Sequence, residues 1–237
     1  MKLKKEDTAK LVQLLEICKL INAEYLAIKP AGASTVTTNS LMICPKNLPN
    51  FGGSEVCFSD IGQLRDKLAI FDGEVDIETK ENDKNEVVSV VISRGKTQAP
   101  LRCAPVRLFK TTSRVNGSDI AIVKMDADDI KIIRSAVKPF SNEFLTIVLK
   151  PDLEVKINMT DASGELFTHH LKQEAGCGPG ALIETTQVFK YDKVMLTNLI
   201  KALSTDEGCT FLLMDTGMIR FPNIMGIGAD IYVIPQI

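Results

Sequence analysis

The feature that most constrains the fold is a pattern that recurs four times along the 237 residues. A few alternating residues precede an amphipathic helix of about three turns, and about three stretches of alternation typical of half-buried strands follow it. The copies begin at Met1, Glu55, Ile120 and Gln187. They share pattern more than identity, so the alternative is a chance recurrence of a common supersecondary unit.

The copies form two pairs, which predicts an α+β chain of two similar domains. The length allows two domains of about 100 to 120 residues, each able to bury a core. The segment "APVRLFKTTSRVNGSD" (Ala104–Asp119) lacks sustained periodicity and carries turn formers. We predict an N-terminal domain over 1–108, a connector over 109–118 and a C-terminal domain over 119–237.

The composition is that of an ordinary soluble globular protein, with 45% apolar residues, 24% charged residues and a net charge of -2. No apolar run reaches the roughly 18 residues of a membrane span, and no signal core is evident, so we expect an intracellular protein. None of the six cysteines forms a CxxC pair, which predicts free and mostly buried thiols at Cys18, Cys44, Cys57, Cys103, Cys177 and Cys209.

Cations follow helical spacing in the third and fourth copies. In "MDADDIKIIRSAVKPF" (Met125–Phe140), apolar residues at intervals of three and four predict a buried face. The same spacing on a neighbouring face predicts a basic stripe of Lys131, Arg134 and Lys138. The polar face of the fourth helix is predicted to carry Lys190, Lys193, Thr197 and Lys201.

The first two helices carry a more mixed set of charges. Lys10 and Lys19 accompany Glu16 in the first, and the second has Arg65, Asp66 and Lys67. Four equivalent helices would turn these residues toward one common surface, which suits the phosphates of duplex DNA and reads no base edges. With no Trp and three Tyr, single-strand binding is a poorer match. The alternative is that the cations only solvate each helix.

Four segments together resemble the sliding clamps, the DNA polymerase processivity factors that include phage clamps and proliferating cell nuclear antigens. They are "MKLKKEDTAKLVQLLEI", "MDADDIKIIRSAVK", "FKYDKVMLTNLIKAL" and "ADIYVIPQI". The resemblance covers essentially the whole chain and rests on order, spacing and length. It implies the DNA-clamp fold, in which two strand-helix-strands units form each domain, antiparallel sheets lie outside, and helices line a ring of three chains.

The resemblance also implies a non-enzymatic protein without a cofactor. Its expected partners are duplex DNA, a DNA polymerase, a clamp loader and further copies of the chain, with no membrane; a phage-encoded clamp would act in the cytoplasm of its bacterial host. Resemblance and helix stripes together give the DNA-binding candidates Lys10, Lys19, Arg65, Lys67, Lys131, Arg134, Lys138, Lys190, Lys193 and Lys201.

In such clamps, partner proteins insert an apolar motif into a groove between the connector and the C-terminal segment. The candidates for this partner groove are Val106, Leu108, Phe109, Tyr232, Val233, Ile234 and Pro235. The alternative interpretation is that these residues complete the core and a sheet edge.

Motifs that would indicate an enzyme are weak. His169 and His170 are adjacent, so in a strand they point to opposite faces and cannot act as a pair. "SAVK" (Ser135–Lys138) lacks the companion motifs of acyl-serine enzymes, and "GCGPGA" lacks the order of a phosphate-binding loop. The main alternative function is a homo-oligomeric scaffold or a virion-associated β-rich protein without a DNA role, and a hydrolase comes third.

Overall fold

The structure is a computed structural model, and it describes residues 2–45, 51, 53–71, 73–152, 154–171 and 184–236. Within these residues the predicted fourfold pattern is confirmed, because each copy runs through one strand, one helix and three strands. Neighbouring strands pair antiparallel, as β6 (Val75–Glu81) does with β7 (Val87–Arg94). The predicted mixed class with antiparallel sheets is therefore confirmed.

The first copy consists of β1 (Lys2–Leu3), α1 (Lys5–Leu20), β2 (Leu26–Lys29), β3 (Gly32–Val36) and β4 (Ser40–Pro45). The second consists of β5 (Val56–Phe58), α2 (Ile61–Leu68), β6, β7 and β8 (Thr97–Arg102), followed by a 3-10 turn over Val106–Leu108. The third contains β9 (Asp119–Met125), α3 (Ala127–Ala136), β10 (Phe144–Leu149), β11 (Val155–Thr160) and β12 (Leu166–Leu171). The fourth contains β13 (Gln187–Asp192), α4 (Lys193–Leu203), β14 (Cys209–Met214), β15 (Ile219–Ile224) and β16 (Ala229–Val233).

The chain divides into two compact units. Unit 1 comprises Met1–Thr37, Leu41–Val115 and Asn223–Asp230. Unit 2 comprises Thr38–Ser40, Asn116–Pro222 and Ile231–Ile237. The boundaries predicted from sequence, with a connector over 109–118, remain a prediction.

Each unit contains a four-stranded antiparallel sheet that ends in an open edge. In unit 1 the strand order is β1-β6-β7-β8, and in unit 2 it is β12-β11-β10-β13. The remaining strands run in the orders β5-β2-β3-β4 and β16-β15-β14-β9. The strands β8 and β12, six residues each, therefore lie at the edges of their sheets.

Helices cover one face of each four-stranded sheet. In unit 1, α1 packs on α2, and α2 contacts β8. In unit 2, α3 packs on α4, and α3 contacts β12. Leu11, Leu14, Leu15 and Cys18 are buried in α1, as expected of the amphipathic helix predicted in the first copy. The apolar faces of α2 and α3 follow their predicted spacing as well, with Leu64, Leu68, Ile130 and Ile133 buried.

Several strands escaped the sequence analysis for physical reasons. The residues of β3 from Ala33 to Thr35 are all buried, so the strand shows no alternation of apolar and polar residues. The turn formers of "PAGAS" (Pro30–Ser34) predict a turn over these residues, and this prediction is wrong after Ala31 because Gly32 already begins β3. Pro100 in β8 and Pro222 in β15 made those two strands hard to predict, because proline within a run of residues argues against a strand.

The cysteines behave as predicted where the structure describes them. Cys18, Cys44, Cys57 and Cys209 are free and buried, and Cys103 is free and partly exposed. Burial raises the pKa of the Cys18 thiol to about 12, which keeps it protonated and unreactive. Cys177 lies outside the described residues. Among the described helices, none has both the length and the apolar character that a membrane crossing requires.

Candidate nucleic-acid interface

The carboxylates that precede the basic stripe cap the start of α3. Asp126 Oδ1 accepts a hydrogen bond from the Asp129 backbone N–H at 2.8 Å, and Asp129 Oδ2 accepts one from the Asp126 N–H at 3.0 Å. Together they form a capping box, and their negative charge also suits the positive end of the helix dipole. The D-x-x-D spacing was a signal for this cap that the sequence analysis did not use.

Asp129 also connects α3 to the edge strand β12. Its Oδ1 atom lies 2.7 Å from Nε2 of His169, and both side chains are largely buried. His169 faces the helix side of the sheet, so α3 is held against β12 at its first turn. Nothing in the sequence pointed to this long-range contact.

We expect Asp129→Ala to lower the free energy of unfolding by about 1–2 kcal/mol, because α3 loses half of its capping box and its contact with His169. Urea denaturation measures this change. Asp128→Ala is the matched control, since Asp128 is an exposed carboxylate in the same turn with no capping bond. Equal effects of the two substitutions would mean that only the charge near the helix start matters.

The cations of α3 are exposed, but the helix is shorter than the predicted stripe. Lys131 and Arg134 lie on α3, which ends at Ala136. Lys138 is exposed in the turn that follows, because the ring of Pro139 disfavours helical backbone in the residue before it. Lys131, Arg134 and Lys138 form no ion pair with any residue that the structure describes.

The prediction that Lys193 lies on an exposed face of α4 is wrong. Its side chain is buried, and Nζ donates hydrogen bonds to the carbonyls of Val137 at 3.0 Å and of Phe140. These carbonyls lie just after α3, so Lys193 satisfies the end of that helix. Burial lowers the pKa of Lys193, whereas the two carbonyls favour its charged form. Thr197, predicted on the same face, is buried and donates to the Lys193 carbonyl at 2.7 Å.

The remaining two residues of the predicted α4 stripe separate. Lys190 lies on strand β13, not on the helix, where Tyr191 is buried and Lys190 is exposed on the other face of the sheet. The predicted helical position of Lys190 is therefore wrong. Lys201 is exposed in the last turn of α4 and forms no ion pair with a described residue.

The candidate cations of unit 1 are less available to bind phosphate than those of α3 and α4. Lys19 is exposed in the last turn of α1, whereas Lys10 is half-buried. Arg65 pairs with Asp66 at 3.2 Å, and Lys67 donates to Gln63 Oε1 at 3.0 Å and to the Pro100 carbonyl. Both cations of α2 therefore have neighbours that compete with a ligand.

The predicted partner groove can be described only one segment at a time. In unit 1, Val106 packs in a cluster with Tyr25, Ala27 and Cys57, and the Phe109 ring lies 4.6 Å from that of Tyr25. Leu108 points outward and is 62% exposed. In unit 2, the C-terminal segment has two buried residues, Tyr232 and Val233, and two half-buried ones, Ile234 and Pro235. Their role in binding a partner stays a prediction.

The side chains of the weak enzyme motifs form hydrogen bonds or ion pairs with other residues of unit 2. His170 Nδ1 lies 2.5 Å from Glu154 Oε1, so the two histidines point to opposite faces as predicted. Hydrogen bonding from Lys150 is the main cause that lowers the pKa of Glu154 to about 2. The Ser135 hydroxyl donates to the Lys131 carbonyl at 2.8 Å. The "GCGPGA" segment lies outside the described residues.

Solved structures with this architecture are sliding clamps. The whole chain aligns with the beta clamp of Helicobacter pylori at a TM-score of 0.69 and 13% identity, and covers 63% of that clamp. It aligns with PCNA of A. fulgidus, solved with the C-terminal region of FEN-1, at a TM-score of 0.60 and 14% identity, covering 98% of it. The DNA polymerase III subunit beta of Pseudomonas aeruginosa gives a TM-score of 0.68 at 14% identity, with 66% of that chain covered. The chain has the sliding-clamp fold.

This likeness confirms the sequence-based resemblance at the level of the fold. No family model and no curated protein sequence matches the chain. The chain spans less than two thirds of the Helicobacter pylori clamp and nearly all of the A. fulgidus one. Within the clamp fold, Lys131, Arg134 and Lys201 lie on the helices of unit 2 and Lys138 directly after one, whereas Lys190 is exposed on the four-stranded sheet.

Proposed function

We propose that the chain is a sliding clamp that encircles duplex DNA and tethers a replicative DNA polymerase. The observation that carries this proposal is the set of exposed cations on the helices of a clamp fold, free of ion pairs with the described residues. Cations in that state can meet phosphates without first breaking a contact inside the protein. In this proposal the clamp fold positions the helices, and the exposed cations on them provide the affinity for duplex DNA.

The proposed DNA-facing set consists of Lys19, Lys131, Arg134, Lys138 and Lys201. Such contacts go to the backbone and carry no sequence preference. Lys10, Arg65 and Lys67 are secondary members, because they are half-buried or already bonded. Lys190 and Lys193 are left out, since one lies on the sheet and the other is buried.

The proposed ring joins copies of the chain head to tail. Open edges such as those of β8 and β12 would pair with other chains unless they are covered, and a closed rotation covers both at once. We propose three copies, because the resemblance implies a ring of three two-domain chains and this chain divides into two compact units. Retention on DNA then comes from encirclement, so each phosphate contact can stay weak and allow sliding.

The proposed partners are a DNA polymerase and a clamp loader. Two of the similar clamps were solved with other replication proteins, one with the C-terminal region of FEN-1 and one with a DNA ligase peptide. In this chain, Leu108 is the residue of the 3-10 turn that is free to contact a partner. Val106 and Phe109 would support that turn from beneath, and Ile234 and Pro235 offer a half-buried apolar surface.

Encirclement is tested by loading the protein on circular plasmid and then cutting the plasmid once. We expect the protein to be retained on the circle and to leave after the cut, because free ends let a ring slide off. Linear DNA with a bulky protein block at both ends is the control and should retain it. Retention that is unchanged on unblocked linear DNA would show ordinary binding instead.

A further inference from the structure

The face of the β12-β11-β10-β13 sheet that lies opposite the helices carries exposed apolar side chains. Phe144 on β10 is 38% exposed, Leu166 on β12 is 60% exposed and Val188 on β13 is 56% exposed. The alternate residues of β10, such as Leu145 and Ile147, point to the other face and are buried. The sheet therefore has apolar residues on both faces, and those on this face are open to a ligand.

The corresponding sheet of unit 1 shows that the repeated unit does not require apolar residues here. The strands β6 and β10 are each the first strand after a helix, and each pairs with the next strand of its own copy. The residues of β6 that point away from the core are charged and exposed, namely Asp76, Glu78 and Lys80. Those of β10 are Phe144, Thr146 and Val148. The difference indicates a contact that is particular to unit 2.

The side chains on this face of unit 2 enclose a depression of about 440 Å³. Thr146 lies between Phe144 and Val148 on β10, and its register partner on β11 is Asn158. Larger apolar side chains stand around these two polar residues, from Phe144, Val148, Leu166 and Val188. A volume of this size and an apolar wall with few polar groups are typical of a binding site.

One polar atom in this depression lacks a partner. Asn158 Oδ1 is enclosed and accepts no hydrogen bond from a residue that the structure describes. An enclosed acceptor without a donor is unfavourable, so a ligand that supplies an N–H group gains affinity there. An extended peptide presents backbone N–H groups along its length, whereas the acyl chains of a membrane present none.

The cation beside the depression favours an acidic ligand. Lys190 lines the depression, and it is the register partner of Thr146 on β13. It is exposed and forms no ion pair with any residue in the described part of the chain. A carboxylate of a ligand can therefore pair with Lys190 without displacing another acid.

The charges farther along this sheet leave a further excess of positive charge. Lys150 and Lys156 both contact the single carboxylate of Glu154, at 2.5 Å and 3.4 Å. Asp192, at the other end of β13, accepts a hydrogen bond from the Met195 N–H as the cap of α4. The same face of a second copy would carry the same positive charge, which disfavours pairing of this face with itself.

We propose that this face binds an extended acidic segment of a partner protein that carries a large apolar side chain. The apolar side chain fills the depression above Thr146, a backbone N–H of the segment donates to Asn158 Oδ1, and a carboxylate of the segment pairs with Lys190. The site uses none of the residues assigned to DNA or to the predicted partner groove. It therefore gives the chain a second protein-binding surface.

A library of random twelve-residue peptides displayed on phage tests this site. The bait is the full chain with Leu108→Asp, which disfavours peptides that bind the predicted partner groove. We expect selected peptides to combine a large apolar residue with acidic residues. Their affinity, measured by fluorescence anisotropy, should fall at least about tenfold when Val188→Asp or Lys190→Glu is added to the bait.

The matched control is Val194→Asp in the same bait. Val194 lies on α4 and is 57% exposed, close to the exposure of Val188, so the two substitutions make the same change at equally open positions. We expect Val194→Asp to leave peptide affinity unchanged. Circular dichroism shows whether each variant is folded, and Lys190→Glu alters no apolar packing, so it tests the site even if Val188→Asp fails to fold.

The outcomes separate this site from the proposed function. Selected peptides that bind both site variants as tightly as the bait, or a selection without enrichment, would overturn the site. Binding to phosphatidylserine vesicles that Val188→Asp abolishes and that the peptides do not compete would indicate a membrane and also overturn it. Val188→Asp should still be retained on circular plasmid. Peptide binding that depends on Val188 and Lys190 in a protein that circular DNA does not retain would support the site and count against the clamp function.

Discussion

The triple variant Lys131→Glu/Arg134→Glu/Lys138→Glu is expected to bind duplex DNA more weakly and to load less efficiently on circular DNA. Each lost phosphate contact should reduce the slope of log affinity against log salt by about 1, and the new carboxylates add repulsion. We expect affinity at physiological salt to fall by at least about tenfold. Measurements of DNA affinity across a salt series give both quantities.

The matched control reverses three exposed cations away from the helices, in Lys80→Glu/Lys84→Glu/Lys190→Glu. Lys80 and Lys190 lie on strands and Lys84 lies in the turn after β6, so the change in net charge is the same but its position differs. Equal losses in the two variants would show that only net charge matters and would remove the helix surface from the proposal. Circular dichroism establishes that both variants remain folded.

Lys193→Met is expected to lower the free energy of unfolding by about 2–4 kcal/mol. Methionine keeps the length and apolar stem of the side chain but leaves the carbonyls of Val137 and Phe140 without their donor. Buried carbonyls that lose a charged donor carry much of their desolvation cost. Equilibrium denaturation in urea measures the change.

Lys201→Met is the control on the same helix. Lys201 is exposed, so its loss should change stability by less than about 0.5 kcal/mol while weakening the affinity for DNA. The two lysines should thus separate folding from binding. If Lys193→Met proves as stable as the unaltered protein, the buried ammonium does not hold the end of α3.

Periodicity predicted the elements whose two faces differ. The helices α1, α2 and α3 expose one side and bury the other, and their apolar positions followed from spacing. By contrast, β3 is buried along its centre and has no alternation to detect. The fold was therefore predictable mainly where one face meets solvent, whereas β3 was missed because it is buried along its centre, and β8 and β15 because proline interrupts them.

The candidate site was predictable only in part, for a related reason. Spacing placed Lys131, Arg134 and Lys201 on helices, and all three are exposed. Spacing could not separate Lys193 from them, because an amphipathic pattern does not show that a first-turn lysine meets carbonyls from another helix. Lys190 was misplaced because the helix begins three residues later, after the cap that Asp192 provides.

The double role of Asp129 couples two parts of unit 2 mechanically. One carboxylate fixes the first turn of α3 and also holds His169 on β12. A pull on the outermost strand of the sheet is therefore transmitted to the start of the helix that carries Lys131 and Arg134. If two copies separate along that strand, the resulting strain reaches the basic helix directly. Release of a neighbouring copy and release of DNA would then both act through the contact between Asp129 and His169.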